Sequence, residues 1–415
     1  MGIEQEVSLF ELSNGIRVVH KYTDRPVSHV GLMINAGSRD ESPGEEGIAH
    51  FIEHAIFKGT KNRRAYHILN RMDSVGGDLD AYTTKEITCF YASFLNEHYD
   101  RALELISDIS LNASFPEKEL EKEKEVVLDE IKVYLDSPAD QIYDDFEDQV
   151  FDGHALGHGI LGNEKSVRSF DRKQLLEFTS RLYRAEEMVI SSVGKISVKR
   201  LKNRLEKHFA AFLSGPSATS NRIAFKNQQA VKKIHLPRAN YQTHGVMGKA
   251  VYGARHPKRL PMILLNNLLG GPAMNTMLNL NVREKYGFSY NIESHYVTYS
   301  DTGLFSIYLG TDPKYVDRCV KAVHRELKKL REKKLSPTKL NGYKQQLKGQ
   351  LALSRENNAS LMLYYAKNLL IQGEIKAVGK ILKAIDEISA QELLEAANQH
   401  LDEKEFHYLF FDGQN

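Results

Sequence analysis

The sequence predicts an α+β protein built as two similar mixed α/β domains in tandem. Three observations lead there. Strand-like alternation and helical periodicity are interleaved along the whole chain rather than segregated. The order of these signals in the first half returns in the second. Between the halves, Leu213 to Arg222 concentrates Ser, Gly, Pro and small residues in the manner of a linker. At 415 residues the chain is too long for one ordinary core and suits two domains of roughly 200 residues. We therefore expect an N-terminal domain over residues 1–215 and a homologous C-terminal domain over 216–415.

Taken in chain order, the first clear helix lies between Gly47 and Gly59, where Ile48, Phe51, Ile52, Ala55 and Ile56 recur at helical spacing. A Gly turn then leads into alternating, strand-like sequence from Gly76 to Phe94. Tyr99-Asp100-Arg101-Ala102 opens an amphipathic helix, and Phe115-Pro116-Glu117-Lys118 opens a long charged one running to about Leu135. The second half repeats this order: strands from Gly287 to Leu309, a helix from Tyr315-Val316-Asp317-Arg318, and another after Ser336-Pro337-Thr338-Lys339. Two unrelated domains of similar order are the alternative to a duplication.

Composition narrows the function. Lys and Arg number 56 against 54 Asp and Glu, a net charge of +2 with both signs interspersed, which gives nucleic-acid binding no support. Cys89 and Cys319 sit in apolar stretches without partner spacing, so neither a disulfide framework nor a thiolate metal site is indicated. The first residues carry Glu4 and Glu6 and no apolar run, unlike a secretory signal or an Arg-rich transit peptide. No apolar run approaches the ~20 residues of a membrane span, so no membrane insertion and a cytoplasmic location are expected.

His50 and His54 stand one helical turn apart, so both imidazoles can reach one ion, with Glu53 on the adjacent edge. Two neutral imidazoles and one carboxylate suit zinc and leave a position for water, whose proton a nearby carboxylate can take. The order His-x-x-Glu-His is that of inverted zinc peptidases. It also fits two helix histidines satisfied by ordinary hydrogen bonds, so context decides. A further ligand should come from another element, and the helix from Pro116 to about Leu135 is the candidate. Leu120, Glu123, Val127, Glu130 and Tyr134 follow a 3-4-3-4 spacing, which turns both Glu123 and Glu130 inward. An inward carboxylate wants a cation. A solvated rod laced with ion pairs is the other reading of this helix, and it fits Glu119, Glu121 and Glu125.

These residues together resemble the pitrilysin/insulinase family of inverzincin metallopeptidases, in the half-length form of the mitochondrial processing peptidase subunits. Gly37-Ser38-Arg39-Asp40-Glu41, Gly47-Ile48-Ala49-His50-Phe51-Ile52-Glu53-His54 and Phe57-Lys58-Gly59-Thr60 match that family's active-site block. The resemblance implies two tandem homologous domains of that metallopeptidase fold. It implies one zinc per chain on His50, His54 and Glu130, Glu53 as the base, and Glu123 supporting the site without binding directly. Gly76-Gly77 through Glu86 resembles the edge strand on which such enzymes align peptides, making Ala81, Tyr82 and Thr83 substrate-binding candidates; Asp80 departs from an Asn often found there. Arg283 and Tyr290 match an Arg-x6-Tyr element that binds substrate or stabilises the transition state, while Met277 stands where an arginine is common.

The resemblance also implies an endopeptidase acting on peptides or unfolded segments inside a closed dimer chamber. Arg283 and Tyr290 of one chain would complete the partner's zinc site. A homodimer is favoured because both motifs are present, with a heterodimer containing a metal-free sister chain, or a non-catalytic structural subunit, as alternatives. Lys344 and Leu351 stand where the second half would need its own Glu123 and Glu130, so that half holds no metal site. His154 and His158, in a Gly-rich stretch, read as structural or solvent-exposed. The basic run from Lys328 to Lys334 reads as a solvated helix end.

Overall fold

The computed structural model describes residues 7–215, 222–226 and 230–414. The N-terminal Met1–Glu6 stretch and the centre of the expected linker, 216–221, lie outside the described residues. Strands β1 (Ser8–Glu11), β2 (Arg17–Tyr22), β3 (Val27–Ile34), β4 (Asp78–Thr83), β5 (Thr88–Leu95) and β6 (Met188–Gly194) form one sheet in the order β1-β2-β6-β3-β5-β4. A second sheet contains β7 (Lys233–Pro237), β8 (Thr243–Tyr252), β9 (Asn291–Thr298), β10 (Thr302–Thr311) and β11 (His407–Asp412), in the order β7-β11-β8-β10-β9.

The two sheets repeat one topology. β2 runs parallel to β6 as β7 does to β11, and the remaining neighbours in this repeat are antiparallel. Helices recur in step: Tyr99–Asn112, Glu117–Leu135 and Pro138–Val150 follow β5 as Val316–Glu332, Pro337–Ser354 and Asn358–Gln372 follow β10. This is the duplicated α+β architecture expected from the repeated signals.

The chain folds into two units that cut across a division at 215/216. The first comprises residues 1–132, 158–223 and 353–375, and the second 133–157, 224–352 and 376–415. The third helix of each of these two sets accounts for this. Ile142, Phe146 and Val150 of helix Pro138–Val150 share a core with Val246, Leu304 and Leu409 in the second unit. Helix Asn358–Gln372 instead packs against β3 and β6 of the first unit, burying Leu361, Met362 and Leu369. An amphipathic stripe must cover some apolar sheet face, and here it covers that of the other half.

In the first unit, Ile48, Phe51, Ile52 and Ala55 join Leu120 and Val127 in one core, so the helix with the histidines and the helix with the glutamates share a buried seam. The chain enters the second of these helices through Phe115, the one non-glycine residue with positive φ (45°) among the described residues. Such a backbone costs on the order of 1–3 kcal/mol. Complete burial of the Phe115 ring offsets it. Cys89 and Cys319 are both buried and free. Among the described residues no helix is long and apolar enough to cross a membrane.

Candidate metal centre

Helix Ile48–Ala55 spans eight residues, begins after Gly47 at φ 92° and buries Ile48, Ala49, Phe51, Ile52 and Ala55. That packing fixes the helix in rotation and leaves His50 and His54 together on the face toward helix Glu117–Leu135, their ring centroids 4.7 Å apart. His54 Nε2 lies 3.4 Å, and His50 Nε2 3.9 Å, from Glu130 Oε2. One donor atom from each of the three residues lies within 4.8 Å of the others, and theirs is the one such group among the described residues.

The donor set fits zinc. Burial, and then the neighbouring His54, push the His50 imidazole down to about 4, so it is neutral and able to donate a lone pair. His50 Nδ1 is buried without a hydrogen-bond partner. His54 Nδ1 sits 3.0 Å from Glu123 Oε1, which orients the ring and leaves Nε2 toward Glu130. Burial opposes charge on His54, but the bond to Glu123 and the charges of Glu130, Glu123 and Glu53 raise its pKa on balance.

Glu123 and Glu130 share a helix face, as their spacing predicts, but not a degree of burial. The Glu123 side chain is 6% exposed and that of Glu130 43%. Glu130 therefore departs from the inward placement expected for it: the buried positions run through Glu123, Lys124, Val127 and Leu128, and at the next turn Ile131, not Glu130, packs against the core. Glu123 meets a cation that sequence reasoning missed: Lys58 Nζ lies 2.6 Å from its Oε2. Burial works to raise the Glu123 pKa, yet the bonds from His54 and Lys58 hold it below the usual carboxylate range. Lys58 follows His54 by one helical turn, and a buried anion opposite that turn was the available signal.

Beside the histidines, Glu53 lines a cleft of about 490 Å3 with Phe57, Lys58, Leu69, Leu79 and Ala81. Burial raises the Glu53 pKa, against the pull of the Thr83 hydroxyl and of His54. Its Oε2 is buried with no hydrogen-bond partner. β4, with Ala81, Tyr82 and Thr83, is the terminal strand of its sheet and packs beside helix Ile48–Ala55. The Asp80 carboxylate accepts hydrogen bonds from the Ala81 amide (2.8 Å) and the Tyr91 hydroxyl (2.7 Å).

Arg283 and Tyr290 belong to the second unit and not to the first unit's donor cluster. Arg283 lies on the π-helical stretch Asn279–Glu284, its Nη1 3.3 Å from Asn279 Oδ1. Tyr290 is 61% exposed, with its amide bonded to the Gly310 carbonyl. His158 takes a structural position, with Nε2 2.9 Å from the Ser38 carbonyl.

The family described as insulinase (peptidase family M16) matches residues 17–164, which contain the donor cluster, and the peptidase M16 inactive domain matches residues 169–347. A Bacillus subtilis (strain 168) protein named uncharacterized zinc protease YmxG is 33% identical over 395 residues, 95% of each chain. An uncharacterized zinc protease of Rickettsia bellii (strain RML369-C) is 31% identical over 399 residues, 96% of this chain and 95% of that one. A protease from Helicobacter pylori has the same fold, with a TM-score of 0.93 at 21% identity over 99% of this chain and 100% of that one. A Pseudomonas fluorescens structure described as a peptidase M16 inactive domain follows at 0.89 and 20% identity, over 99% and 98% of the two chains. With near-complete relatives at this identity and both family domains in sequence, the chain belongs to the insulinase family of peptidases, peptidase family M16.

Proposed function

We propose that the chain is a zinc-dependent endopeptidase that hydrolyses peptides or unfolded polypeptide segments, with one zinc held by His50, His54 and Glu130. The observation that carries this reading is the convergence of these three donors within 4.8 Å of one another. When bound, zinc supplies Lewis-acid polarisation and lowers the pKa of water to about 7. Glu53 accepts the proton of the attacking water on its carboxylate and returns it to the leaving amine. Glu123 holds His54 in orientation through Nδ1. Ala81, Tyr82 and Thr83 align the substrate as an added strand along the β4 edge.

Arg283 and Tyr290 act on substrate from the partner chain in a closed dimer, a homodimer rather than a pairing with a metal-free sister chain. This rests on the family resemblance and on the presence of both motifs in one chain. A cytoplasmic location accords with the two buried free cysteines.

The test is zinc stoichiometry, native mass and cleavage of a mixed pool of unstructured peptides, with wild type beside Glu53→Gln. One zinc per chain in both proteins, a dimeric mass and cleavage by wild type alone support the reading. Absence of zinc under metal-replete conditions would overturn it and favour a structural subunit.

A further inference from the structure

The metal-bearing helix starts without a side-chain cap. Its N-cap residue is Gly47, and the amides of a first helical turn need acceptors from somewhere. Glu41 supplies one from outside the helix: its carboxylate accepts from the Gly47 amide at 2.9 Å and the Ala49 amide at 3.0 Å. Ala49 immediately precedes His50, which lies in this first turn, whereas His54 lies in the last.

Glu41 is itself gripped. Its side chain is 1% exposed, and His158 Nε2 lies 3.3 Å from its Oε2. The same nitrogen is 2.9 Å from the Ser38 carbonyl, so His158 ties both ends of the turn that presents Glu41. The His158 carbonyl in turn accepts from Lys85 Nζ at 2.6 Å. Burial pushes Glu41 up to about 7 against the pull of His158 and the two amides, so its charge depends on those partners. The segment after His158 is pressed against the helix start. A Cβ on Gly47 would meet the Leu161 carbonyl oxygen at 2.6 Å, and one on Gly162, at φ 70°, the Glu46 carbonyl oxygen at 2.1 Å. The Gly-rich stretch around His158 thus serves as a brace beneath the metal helix.

We propose that Glu41 and His158 are positioning residues for the metal centre, the pair fixing the first turn of helix Ile48–Ala55 and with it the aim of His50. The proposal rests on the assignment of His50, His54 and Glu130 as zinc ligands. An uncapped first turn frays, and a ligand that must be ordered on binding holds its ion less tightly. Residues that orient metal ligands typically cost about 10- to 100-fold in metal affinity when replaced.

The experiment uses the full chain with Glu41→Gln, His158→Gln, the double variant and a His50→Ala control. Zinc affinity is read by chelator competition, ligand geometry by the visible spectrum of the cobalt-loaded protein, and stability by the thermal midpoint of the metal-free form. Glu41→Gln and His158→Gln are expected to weaken zinc by about tenfold or more and to alter the cobalt spectrum. The double variant should be no weaker than the worse single one, since the two act as a unit. The metal-free midpoint should fall less in His158→Gln than in Glu41→Gln, because both amide bonds of Glu41 remain in place, which keeps the test valid if Glu41→Gln folds poorly. Wild-type zinc affinity and cobalt spectrum in His158→Gln, with zinc lost in His50→Ala, would overturn the brace while leaving the metal assignment intact. Zinc retained by His50→Ala would overturn both.

Discussion

His54 Nδ1 lies 3.0 Å from one carboxylate oxygen of Glu123. Lys58 Nζ lies 2.6 Å from the other oxygen, so a cation, a carboxylate and an imidazole are linked in series. A buried carboxylate that lost its lysine would gain proton affinity and orient His54 less firmly. Lys58→Met is therefore expected to weaken zinc binding by about tenfold, and Glu123→Ala by up to about a hundredfold. Lys58→Arg should retain most of the affinity. Chelator competition measures all three, and an unchanged constant in Lys58→Met would remove lysine from the relay.

Glu130 and Glu53 separate binding from chemistry. Glu130 is the only carboxylate in the donor cluster of the described residues, whereas Glu53 stands beside it. Glu130→Ala should lose stoichiometric zinc and activity together. Glu53→Gln should keep zinc while kcat falls by at least about 10²- to 10⁴-fold, the usual scale of general-base removal. Zinc retained by Glu130→Ala would transfer the third ligand to another residue.

The legible parts of this molecule were those written locally. Glu53 and the two histidines lie within one helical turn, so spacing alone brings them to one edge. The duplicated order of the sheets followed from signals that recur in each half, such as Tyr99 and Tyr315 at the start of their helices. Periodicity also turned Glu123 and Glu130 to a common face, yet it carries no depth: Glu123 is buried while the Glu130 side chain is 43% exposed. The ion pair of Lys58 with Glu123 joins distant segments and has no local signature. The exchange of helices Pro138–Val150 and Asn358–Gln372 was hidden for a related reason. Ile142, Phe146 and Val150 announce an apolar stripe but not the sheet it will cover.

Asp108 gives the region of the donor cluster an acid-sensitive support. It accepts from Thr60 Oγ1 (2.9 Å), Asn62 Nδ2 (2.6 Å), Arg63 Nη1 (2.6 Å) and Asn112 Nδ2 (3.0 Å), tying down the loop after the metal helix. Burial acts to raise its pKa, but these bonds outweigh burial and hold it below the ordinary value. A carboxylate depressed on folding stabilises the protein above its unfolded pKa of about 3.9, and that contribution is lost as pH falls through the folded value. Asp108→Asn should cost about 2 kcal/mol at neutral pH. The difference from wild type should shrink below about pH 4, as unfolding curves at several pH values would reveal. A difference independent of pH would assign the loss to packing rather than charge.

The edge strand carries an internal competitor for substrate. An added peptide strand pairs with the backbone groups of β4, but the Ala81 amide already donates to Asp80 Oδ1 at 2.8 Å. Tyr91 secures that carboxylate from the other side at 2.7 Å, so it is not free to swing away without losing a second bond. A peptide that uses the Ala81 amide must first displace Asp80. Asp80→Ala removes the competitor, and one net hydrogen bond of about 0.5–1.5 kcal/mol corresponds to a KM lower by about two- to tenfold for unstructured peptides. Zinc content should be unchanged, since Asp80 is not in the donor cluster. Tyr91→Phe should produce a smaller change in the same direction by loosening the carboxylate. A KM that rises in Asp80→Ala would mean that the carboxylate itself contacts substrate, and peptides with a basic side chain at that position should then suffer most.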